Sequence, residues 1–504
     1  MSNTAAADTD YDLFVIGGGI NGVGIARDAA GRGLKTCLAE MNDLASATSS
    51  WSTKLIHGGL RYLEQYDFKL VRESLIEREI LLDAAPHLIE PLRFVLPHHK
   101  ALRPAWLLRL GLFLYDNLGG RRLLPKTSRV DLENGPFGAP LQDQFVTGFE
   151  YSDCRADDAR LVVVNAIDAA ERGADIWVRT RFVGAEREKS GWAITLEDAR
   201  GQRQIRAKAI VNAAGPWVTQ IFAAIDEADP TKGLRLVKGS HIFTRRLYDH
   251  DRAYIFQHGD GRIVFTIPYG ADLTLIGTTD EAFEGDPAEA KISDEETHYL
   301  CDLVSAYLKT PITPADVVST YSGVRPLFDE LGKGAASKVT RDYAFDLQGN
   351  ATRAPLLSIY GGKLTTYRKL ALDAMEALEP FFPAMGDRWT HSAHLPGGEM
   401  GYQGFSAFEA EMEARYGFLS PETRQRMAHA YGSRIYDMLG DAASVDDLGR
   451  ELAPGVYEKE LIYLRDKEWA RTGEDALNRR SKLYLRLSEE EQQAVANWFA
   501  ASPA

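Results

Sequence analysis

Near its start, the chain alternates apolar runs with small-residue segments in a way that predicts strand, turn, helix and strand. Residues 11–16, YDLFVI, form an apolar run that ends at glycines, and the stretch INGVGIARDAAGRG that follows has helical spacing. A second apolar run, LKTCLAE, comes next. This succession is typical of a βαβ unit.

Further along the chain, short apolar runs alternate with longer amphipathic stretches. Alternating helices and strands predict an α/β nucleotide-binding domain, whereas strands clustered between 235 and 278 predict a separate antiparallel sheet. From residue 405 onwards the periodicity is helical, so we expect a helical C-terminal domain. The expected strands are 175–179, 209–212, 262–267, 273–276 and 355–360, and the expected helices are 69–84, 156–172 and 364–378.

Composition argues against several classes of protein. The 504 residues carry a formal net charge of −14, which argues against broad binding of nucleic acid. Three cysteines lie far apart without C-x-x-C spacing, so we expect no disulfide framework and no metal site. The N-terminal residues lack the basic and apolar regions of a secretory signal, and no window is apolar enough to cross a bilayer. A reducing, cytoplasmic environment is the expectation.

Residues 100–126 reverse the charge of the rest of the chain. They carry a net charge of +5, with Asp116 as their single acid. Their apolar residues recur at helical spacing, which fits an amphipathic helix lying on anionic lipid and also fits a helix packed in the core. The basic residues are Lys100, Arg103, Arg109, Arg121, Arg122 and Lys126, and the apolar residues are Trp106, Leu107, Leu110, Phe113, Leu114 and Leu118.

The first turn matches the dinucleotide fingerprint G-x-G-x-x-G between a predicted strand and a predicted helix. In that motif Gly17 makes the tight turn, Gly19 lets the backbone approach a pyrophosphate, and Gly22 lets helix and strand pack closely. The pyrophosphate then sits at the helix N-terminus. Glu40 lies 23 residues after Gly17 and is placed to accept hydrogen bonds from the ribose hydroxyls. An acidic residue there favours a free 2′-hydroxyl, and hence FAD or NAD over NADP.

Three later turns favour FAD over NAD because an elongated dinucleotide needs several close backbone approaches. They are the ATSS and HGG segments after the βαβ unit, the NAAG turn after a later strand, and a GGKLTT turn that opens a helix. A helix N-terminus facing the flavin would stabilise the negative charge of its reduced form. The further cofactor contacts we expect are Thr48, Ser49, Ser50, His57, Gly58, Gly59, Ala214, Gly215, Gly362, Lys363, Leu364 and Thr365.

Nine segments in one order resemble the FAD-dependent, respiratory glycerol-3-phosphate dehydrogenase family, within the D-amino acid oxidase-like flavoprotein group. The resemblance implies a Rossmann-like α/β FAD-binding domain interleaved with a substrate domain on a mixed or antiparallel β-sheet, plus a helical C-terminal domain. The implied boundaries are 1–85, 145–230 and 335–388 for the FAD-binding domain, 86–144 and 231–334 for the substrate domain, and 389–504 for the C-terminal domain. The nine segments are IGGGINGVGIARDAAGRG, ATSSWSTKLIHGGLRYLE, GFEYSDCRADDARL, NAAGPWV, KGSHI, IGTTD, YSGVRPL, TRDY and GGKLTTYRKLA.

The same resemblance implies a substrate site. Oxidising glycerol 3-phosphate at C2 needs cations for the phosphate and a base for the hydroxyl proton. His241 is the expected base, with His57 as its rival, and Arg325 is expected to bind the developing alkoxide or ketone oxygen. Asp280 is expected to be a turn residue. The implied substrate contacts are Arg61, Tyr62, His241, Arg325, Arg341 and Lys363.

The implied reaction converts glycerol 3-phosphate into dihydroxyacetone phosphate, with FAD as hydride acceptor and a membrane quinone as the next acceptor. A quinone partner favours binding of segment 100–126 to anionic lipid, at the cytoplasmic face of the inner membrane, and a homodimer is expected. One alternative is an oxygen-using oxidase of glycerol 3-phosphate or of an amino acid. A dinucleotide-binding protein without turnover is another.

Overall fold

A computed structural model describes residues 10–60, 63, 66–98, 104–120, 123–189, 191–257, 262–329 and 342–502. Seven residues with expected roles lie outside these ranges: Arg61, Tyr62, Lys100, Arg103, Arg121, Arg122 and Arg341.

The described strands and helices alternate through the first three quarters of the chain, and helices dominate the rest. The strands are β1 (Asp10–Ile16), β2 (Thr36–Ala39), β3 (Leu55–Ile56), β4 (Ile89–His98), β5 (Ser128–Asp131), β6 (Thr147–Ala156), β7 (Asp175–Trp177), β8 (Arg181–Glu188), β9 (Gly191–Asp198), β10 (Gly201–Asn212), β11 (Gly233–Arg245), β12 (Ala253–Gln257), β13 (Ile263–Tyr269), β14 (Leu273–Gly277), β15 (Glu281–Ala282), β16 (Val317–Asp329), β17 (Ala344–Asn350), β18 (Arg353–Tyr360), β19 (Glu451–Ala453) and β20 (Val456–Tyr457). The helices are α1 (Ile20–Gly31), α2 (Phe68–Ala84), α3 (Ala105–Leu118), α4 (Asp158–Glu171), α5 (Val218–Ile221), α6 (Asp294–Ser305), α7 (Tyr367–Leu378), α8 (Gly401–Arg415), α9 (Pro421–Tyr431), α10 (Ile435–Leu439), α11 (Glu458–Lys467) and α12 (Glu489–Ala501).

The first sheet is Rossmann-like, in the order β17-β18-β10-β1-β2-β7. The second half of strand β1 is apolar because it is covered on both faces: Leu13 and Val15 enter one core, and Phe14 and Ile16 enter another. Its parallel register pairs Ile16 with Ala39 on one side and with Asn212 on the other. The carboxyl ends of three strands therefore meet, which is where open α/β sheets bind ligands.

The expected elements of this sheet are confirmed, with shifts at their ends. The predicted helix 364–378 is a 3₁₀ turn, Leu364–Thr366, followed by α7, and the strand predicted at 209–212 is the end of the longer β10. The search for apolar runs missed the rest of β10 and the antiparallel strands β8 and β9, because these segments are rich in charged residues and lack long apolar runs.

The second sheet is antiparallel except where β12 runs parallel to β4. Its order is β15-β11-β14-β13-β12-β4-β6-β3, with β16 paired to β11 and β5 to β6. The sheet expected between 235 and 278 is thus larger than its local sequence indicates, since β3 to β6 join it from earlier in the chain and β16 from later. In the β11–β16 register, His241 faces Tyr321 and Gly239 faces Gly323, so the two strands bring distant motifs together.

The C-terminal helices α8 to α12 and the β19–β20 ribbon surround a hydrophobic core of their own, which includes Met412, Tyr431 and Leu461. The expected helical C-terminal domain is confirmed. Buried arginines join it to the Rossmann-like domain: Arg160 of α4 forms a salt bridge with Glu468 and donates to the Ala430 carbonyl.

Helix α3 combines the two alternatives for residues 100–126. Leu112 and Tyr115 are buried, whereas Trp106 and Phe113 remain 67% and 62% exposed. One face of this helix therefore packs in the core while the other presents aromatic side chains to solvent. Of the helices in the described ranges, none has both the length and the apolar character needed to span a bilayer.

Candidate functional site

A cavity of about 1440 Å³ lies where the two sheets face each other. Its lining includes the turn after β1, Glu40 after β2, the turn after β10 and the turn after β18. From the second sheet, His241 of β11 and Arg325 of β16 line it. The topology thus gathers most of the expected site residues that the structure describes around one cavity.

The glycine turn at the start of α1 has the close contacts that the fingerprint requires. A Cβ on Gly17 would lie 2.7 Å from the carbonyl oxygen of Ala213, and φ is +108° there. A Cβ on Gly22 would lie 1.9 Å from the carbonyl oxygen of Gly17, so this glycine packs α1 against the turn and does not line the cavity. Gly19 lines the cavity, and the Ile20 amide donates to Ser49 Oγ at 3.0 Å.

Glu40 is held by backbone amides at the end of β2. Its two carboxylate oxygens accept hydrogen bonds from the backbone amides of Gly18, at 2.8 Å, and Asn42, at 2.7 Å. Burial raises the pKa of this carboxyl above its ordinary value, although the two amide donors oppose the shift. Because a carboxylate offers about four acceptor positions, it can also accept from ribose hydroxyls.

The ATSS and HGG segments reach the cavity only in part. Thr48 and Ser49 line it, and Thr48 Oγ1 donates to the Val324 carbonyl at 2.7 Å, which ties this segment to β16. Ser50 and Gly58 do not line it: the Ser50 hydroxyl donates to the Ala45 carbonyl, and Gly58 N donates to Tyr115 Oη at 2.8 Å. His57 and Gly59 do line the cavity.

The turn after β18 lies against the start of α1 on the wall of the cavity. Gly361 and Gly362 have φ of +77° and +96°, a region that favours glycine. Asn21 Nδ2 donates to the Gly361 carbonyl at 3.1 Å, and the His57 amide donates to Thr365 Oγ1 at 3.3 Å. All four residues expected in this turn line the cavity, as do both expected in the turn after β10: Gly362, Lys363, Leu364, Thr365, Ala214 and Gly215.

His241 is almost fully buried at 2% exposure. Its ring stacks on Tyr321 with centroids 4.6 Å apart, and its Nε2 lies 3.0 Å from Thr53 Oγ1. Burial, reinforced by the positive charges of Arg325 and Lys54, lowers the pKa of the imidazole well below its ordinary value. The ring is therefore neutral at physiological pH and keeps one nitrogen able to accept a proton.

Arg325 is fixed beside His241 by a loop of the neighbouring strands. Its Nη1 donates to Asp280 Oδ1 at 3.1 Å, and its Nη2 donates to Thr278 Oγ1 at 3.0 Å. A Cβ on Gly239 would lie 2.1 Å from Nη2, so a side chain at this position would displace the guanidinium. Asp280, expected to be a turn residue, thus also has a charged partner.

Sequence reasoning missed two residues that contact His241 and Arg325, namely Thr53 and Gly239. Both lie inside segments already noted, WSTKL and KGSHI, yet nothing local shows that Thr53 pairs with a histidine 188 residues away. The role of Gly239 could have been suspected from the sequence, since a glycine stands two residues before both His241 and Arg325. The two strands that carry these glycines pair with each other.

The cavity fits an elongated dinucleotide. Its lining runs from Glu40 past the glycine turn to Lys363, and α1 starts at this wall without an acidic residue in its first turn. Asn21 Oδ1, buried in the same wall, has no hydrogen-bond partner among the described residues. The wall of the cavity thus offers a helix N-terminus and an unpartnered acceptor to a bound cofactor.

Comparisons with known proteins agree with this geometry. Residues 12–368 match the FAD dependent oxidoreductase family, and residues 388–501 match the C-terminal domain of alpha-glycerophosphate oxidase. The chain is 51% identical over 490 residues to the D-erythritol 1-phosphate dehydrogenase of Brucella abortus, covering 97% of each chain. It is also 51% identical over 489 residues to the glycerol-3-phosphate dehydrogenase of Pseudomonas aeruginosa, covering 97% of this chain and 94% of that one.

A solved structure extends the likeness to the whole fold. The glycerol-3-phosphate dehydrogenase from Bacillus halodurans complexed with FAD matches with a TM-score of 0.76 at 29% identity, covering 98% of this chain and 91% of that chain. The chain therefore belongs to the FAD-dependent glycerol-3-phosphate dehydrogenase family of the D-amino acid oxidase-like flavoproteins, and it is an FAD-dependent oxidoreductase that acts on CH–OH groups.

Proposed function

We propose that the protein oxidises glycerol 3-phosphate at C2 to dihydroxyacetone phosphate and transfers the electrons to a membrane quinone. The observation that carries this proposal is that the buried imidazole of His241 and the guanidinium of Arg325 line the same cavity. Removing hydride from a secondary alcohol needs a base that takes the hydroxyl proton. It also needs a cation that stabilises the negative charge developing on the oxygen. The two side chains supply both.

Each residue has a distinct task in this proposal. His241 takes the C2 hydroxyl proton, Thr53 orients the ring, and Arg325 stabilises the developing oxyanion. Lys363, with Arg61 and Arg341, supplies positive charge for the phosphate. The turns around Gly19, Glu40 and Gly362 hold FAD, which when bound supplies hydride acceptance and electron transfer.

Anaerobic reduction of the bound flavin tests the substrate. Glycerol 3-phosphate added to the FAD-loaded protein should bleach the absorbance of oxidised flavin within seconds, and glycerol without phosphate should not. Persistence of the oxidised spectrum at saturating glycerol 3-phosphate would sink the proposal.

D-Erythritol 1-phosphate is a second candidate substrate. The relative named for this activity is as similar to the chain as the glycerol-3-phosphate dehydrogenase, at 51% identity. Both substrates carry a phosphate and a secondary hydroxyl, so the same residues serve either. The ratio of kcat/KM for the two compounds decides: a value at least tenfold higher for D-erythritol 1-phosphate would reassign the substrate and leave the roles of His241 and Arg325 intact.

A quinone acceptor is supported by the position of α3 beside the cavity. Tyr115 of this helix donates to Asp153, which lines the cavity, and Tyr115 Oη also accepts from Gly58 N in the HGG turn. The exposed face of the same helix carries Trp106 and Phe113. A helix docked on lipid through these rings would hold the flavin end of the cavity close to a lipid-soluble acceptor.

An oxidase would pass the electrons to oxygen, whereas the proposed dehydrogenase passes them to a quinone. The electron acceptor is therefore measured directly. With substrate present, a soluble quinone analogue should be reduced rapidly while hydrogen peroxide stays near background in air. Stoichiometric hydrogen peroxide without quinone reduction would favour the oxidase.

Replacing Trp106 and Phe113 together with serine is expected to weaken binding to anionic vesicles by at least about tenfold, because burying one large apolar side chain contributes roughly 1.5–3 kcal/mol. Vesicle sedimentation measures the change. Val318→Ser, at a 47% exposed position on β16, is the matched control and should bind like the wild type. Unchanged binding of the double variant would remove α3 from the membrane contact.

A further inference from the structure

The C-terminal domain contributes charged side chains to the wall of the cavity at its Glu40 end. Glu474 and Arg479 line the cavity together with Arg179, which follows β7. Arg179 Nη2 donates to both oxygens of Asp475, at 2.7 and 2.9 Å. The π-helical segment Asp475–Arg480 therefore closes this end of the cavity from outside the Rossmann-like domain.

Asp43 connects that segment to the loop that carries Glu40. It lies three residues after Glu40, lines the cavity and is 1% exposed. Arg480 donates to both of its oxygens, at 2.6 and 2.8 Å, and Arg479 Nε donates to Oδ2 at 2.6 Å. Both arginines are buried and belong to the C-terminal domain. A buried carboxylate is thus neutralised by two cations from another domain.

This arrangement makes the loop depend on docking. Removing either arginine leaves the buried carboxylate of Asp43 with one cation in place of two, which weakens the attachment of the loop to the C-terminal domain. The loop 40–46 includes Glu40, whose carboxylate is fixed by the amides of Gly18 and Asn42. Movement of Asp43 would therefore shift the group expected to hold the ribose.

We propose that the C-terminal domain completes the adenosine end of the FAD site, and that Arg479 and Arg480 are positioning residues that hold the Glu40 loop through Asp43. FAD binding and docking of the C-terminal domain are then coupled, and each stabilises the other to the same extent. The proposal rests on the ribose contact of Glu40 and is independent of the substrate.

The first test measures the dissociation constant of FAD for the full-length apoprotein by quenching of flavin fluorescence. Arg480→Met and Arg479→Gln should each raise the dissociation constant by about 10- to 100-fold, in the range of typical coupling between sites. Asp43→Asn combined with Arg480→Met should raise the dissociation constant less than Arg480→Met alone, because the buried negative charge is then removed together with its cation.

A matched control breaks an ion pair inside the C-terminal domain. Arg426 contacts Glu460 at 2.5 and 2.8 Å and does not line the cavity. Arg426→Met should lower the unfolding temperature of the apoprotein yet leave the dissociation constant of FAD within about twofold of the wild type. A loss of FAD affinity equal to that of Arg480→Met would show that general destabilisation explains both variants, and would overturn the proposal.

Hydrogen exchange of the wild type provides a readout that needs no variant to fold. FAD should slow exchange at amides of 468–482 as well as at 40–46, because docking and binding are reciprocal. Protection confined to the Rossmann-like domain would overturn the proposal. So would folded Arg479→Gln and Arg480→Met proteins that bind FAD as tightly as the wild type. Glycerol 3-phosphate takes part in neither measurement, so a wrong substrate assignment would not change either result.

Discussion

Replacing His241 with glutamine is expected to lower kcat by about 100- to 10,000-fold, the usual contribution of a general base. Glutamine can still hydrogen-bond to Thr53 and fill the space over Tyr321, but it cannot take a proton. The KM for glycerol 3-phosphate should change little, because the phosphate is bound by cations. Steady-state kinetics with a quinone analogue, on protein whose FAD content matches the wild type, measures both constants.

The pH dependence of kcat/KM gives the same prediction a second readout. Burial, Arg325 and Lys54 all disfavour the charged imidazole, so the rate should stay level through neutral pH and fall only where the ring gains a proton, well below its ordinary pKa of about 6.5. The ring otherwise faces the uncharged hydroxyl of Thr53 and the face of Tyr321, whose own pKa burial raises. Lys54→Met removes one cation, so the acid limb should move to higher pH.

His57→Gln is the matched control, because His57 also lines the cavity. Its turnover should stay within about tenfold of the wild type if His241 is the base. A near-normal kcat for His241→Gln with a collapse for His57→Gln would transfer the role of base to His57.

The local sequence was sufficient to predict a feature where one short segment contains all the residues that the feature needs. The apolar run of β1, the glycines after it and Glu40 after β2 predict the turn, the helix and the position of Glu40 at the cavity, because the parallel register brings these strand ends together. The family segments also located His241, Arg325 and most of the turns around the cavity. Gly22, Ser50 and Gly58 are exceptions, since they do not line the cavity.

The local sequence was insufficient to predict a contact where its two partners lie in distant segments of the chain. The C-terminal domain showed no chemistry in its sequence, yet Lys482 lies 3.3 Å from Asp158, and Asp158 also binds Lys54 next to the Thr53 segment. A lysine in a helical region indicates only a solvated surface until its partner is known. Helix α3 is similar: helical spacing showed an apolar face, but only the packing of Tyr115 showed which side is buried.

Replacing Arg325 with methionine is expected to lower kcat/KM by about 100- to 1,000-fold, the usual effect of deleting one donor to a developing oxyanion. Methionine keeps an unbranched apolar stem and removes the charge and the five N–H donors. Loss of this cation should also raise the pKa of His241 toward its ordinary value, so the acid limb of kcat/KM should move to higher pH. Kinetics across pH measures both effects in one series.

Two further variants separate the charge of Arg325 from its placement. Arg325→Lys keeps the charge but loses the fork that reaches Asp280 and Thr278 at once, so its activity should lie between those of the wild type and Arg325→Met. Gly239→Ala keeps the arginine and displaces it, because the added methyl would lie 2.1 Å from Nη2. Its kcat should fall while FAD content stays normal. Wild-type kcat in Gly239→Ala, or in Arg325→Met, would mean that the oxyanion is stabilised by another cation of the cavity.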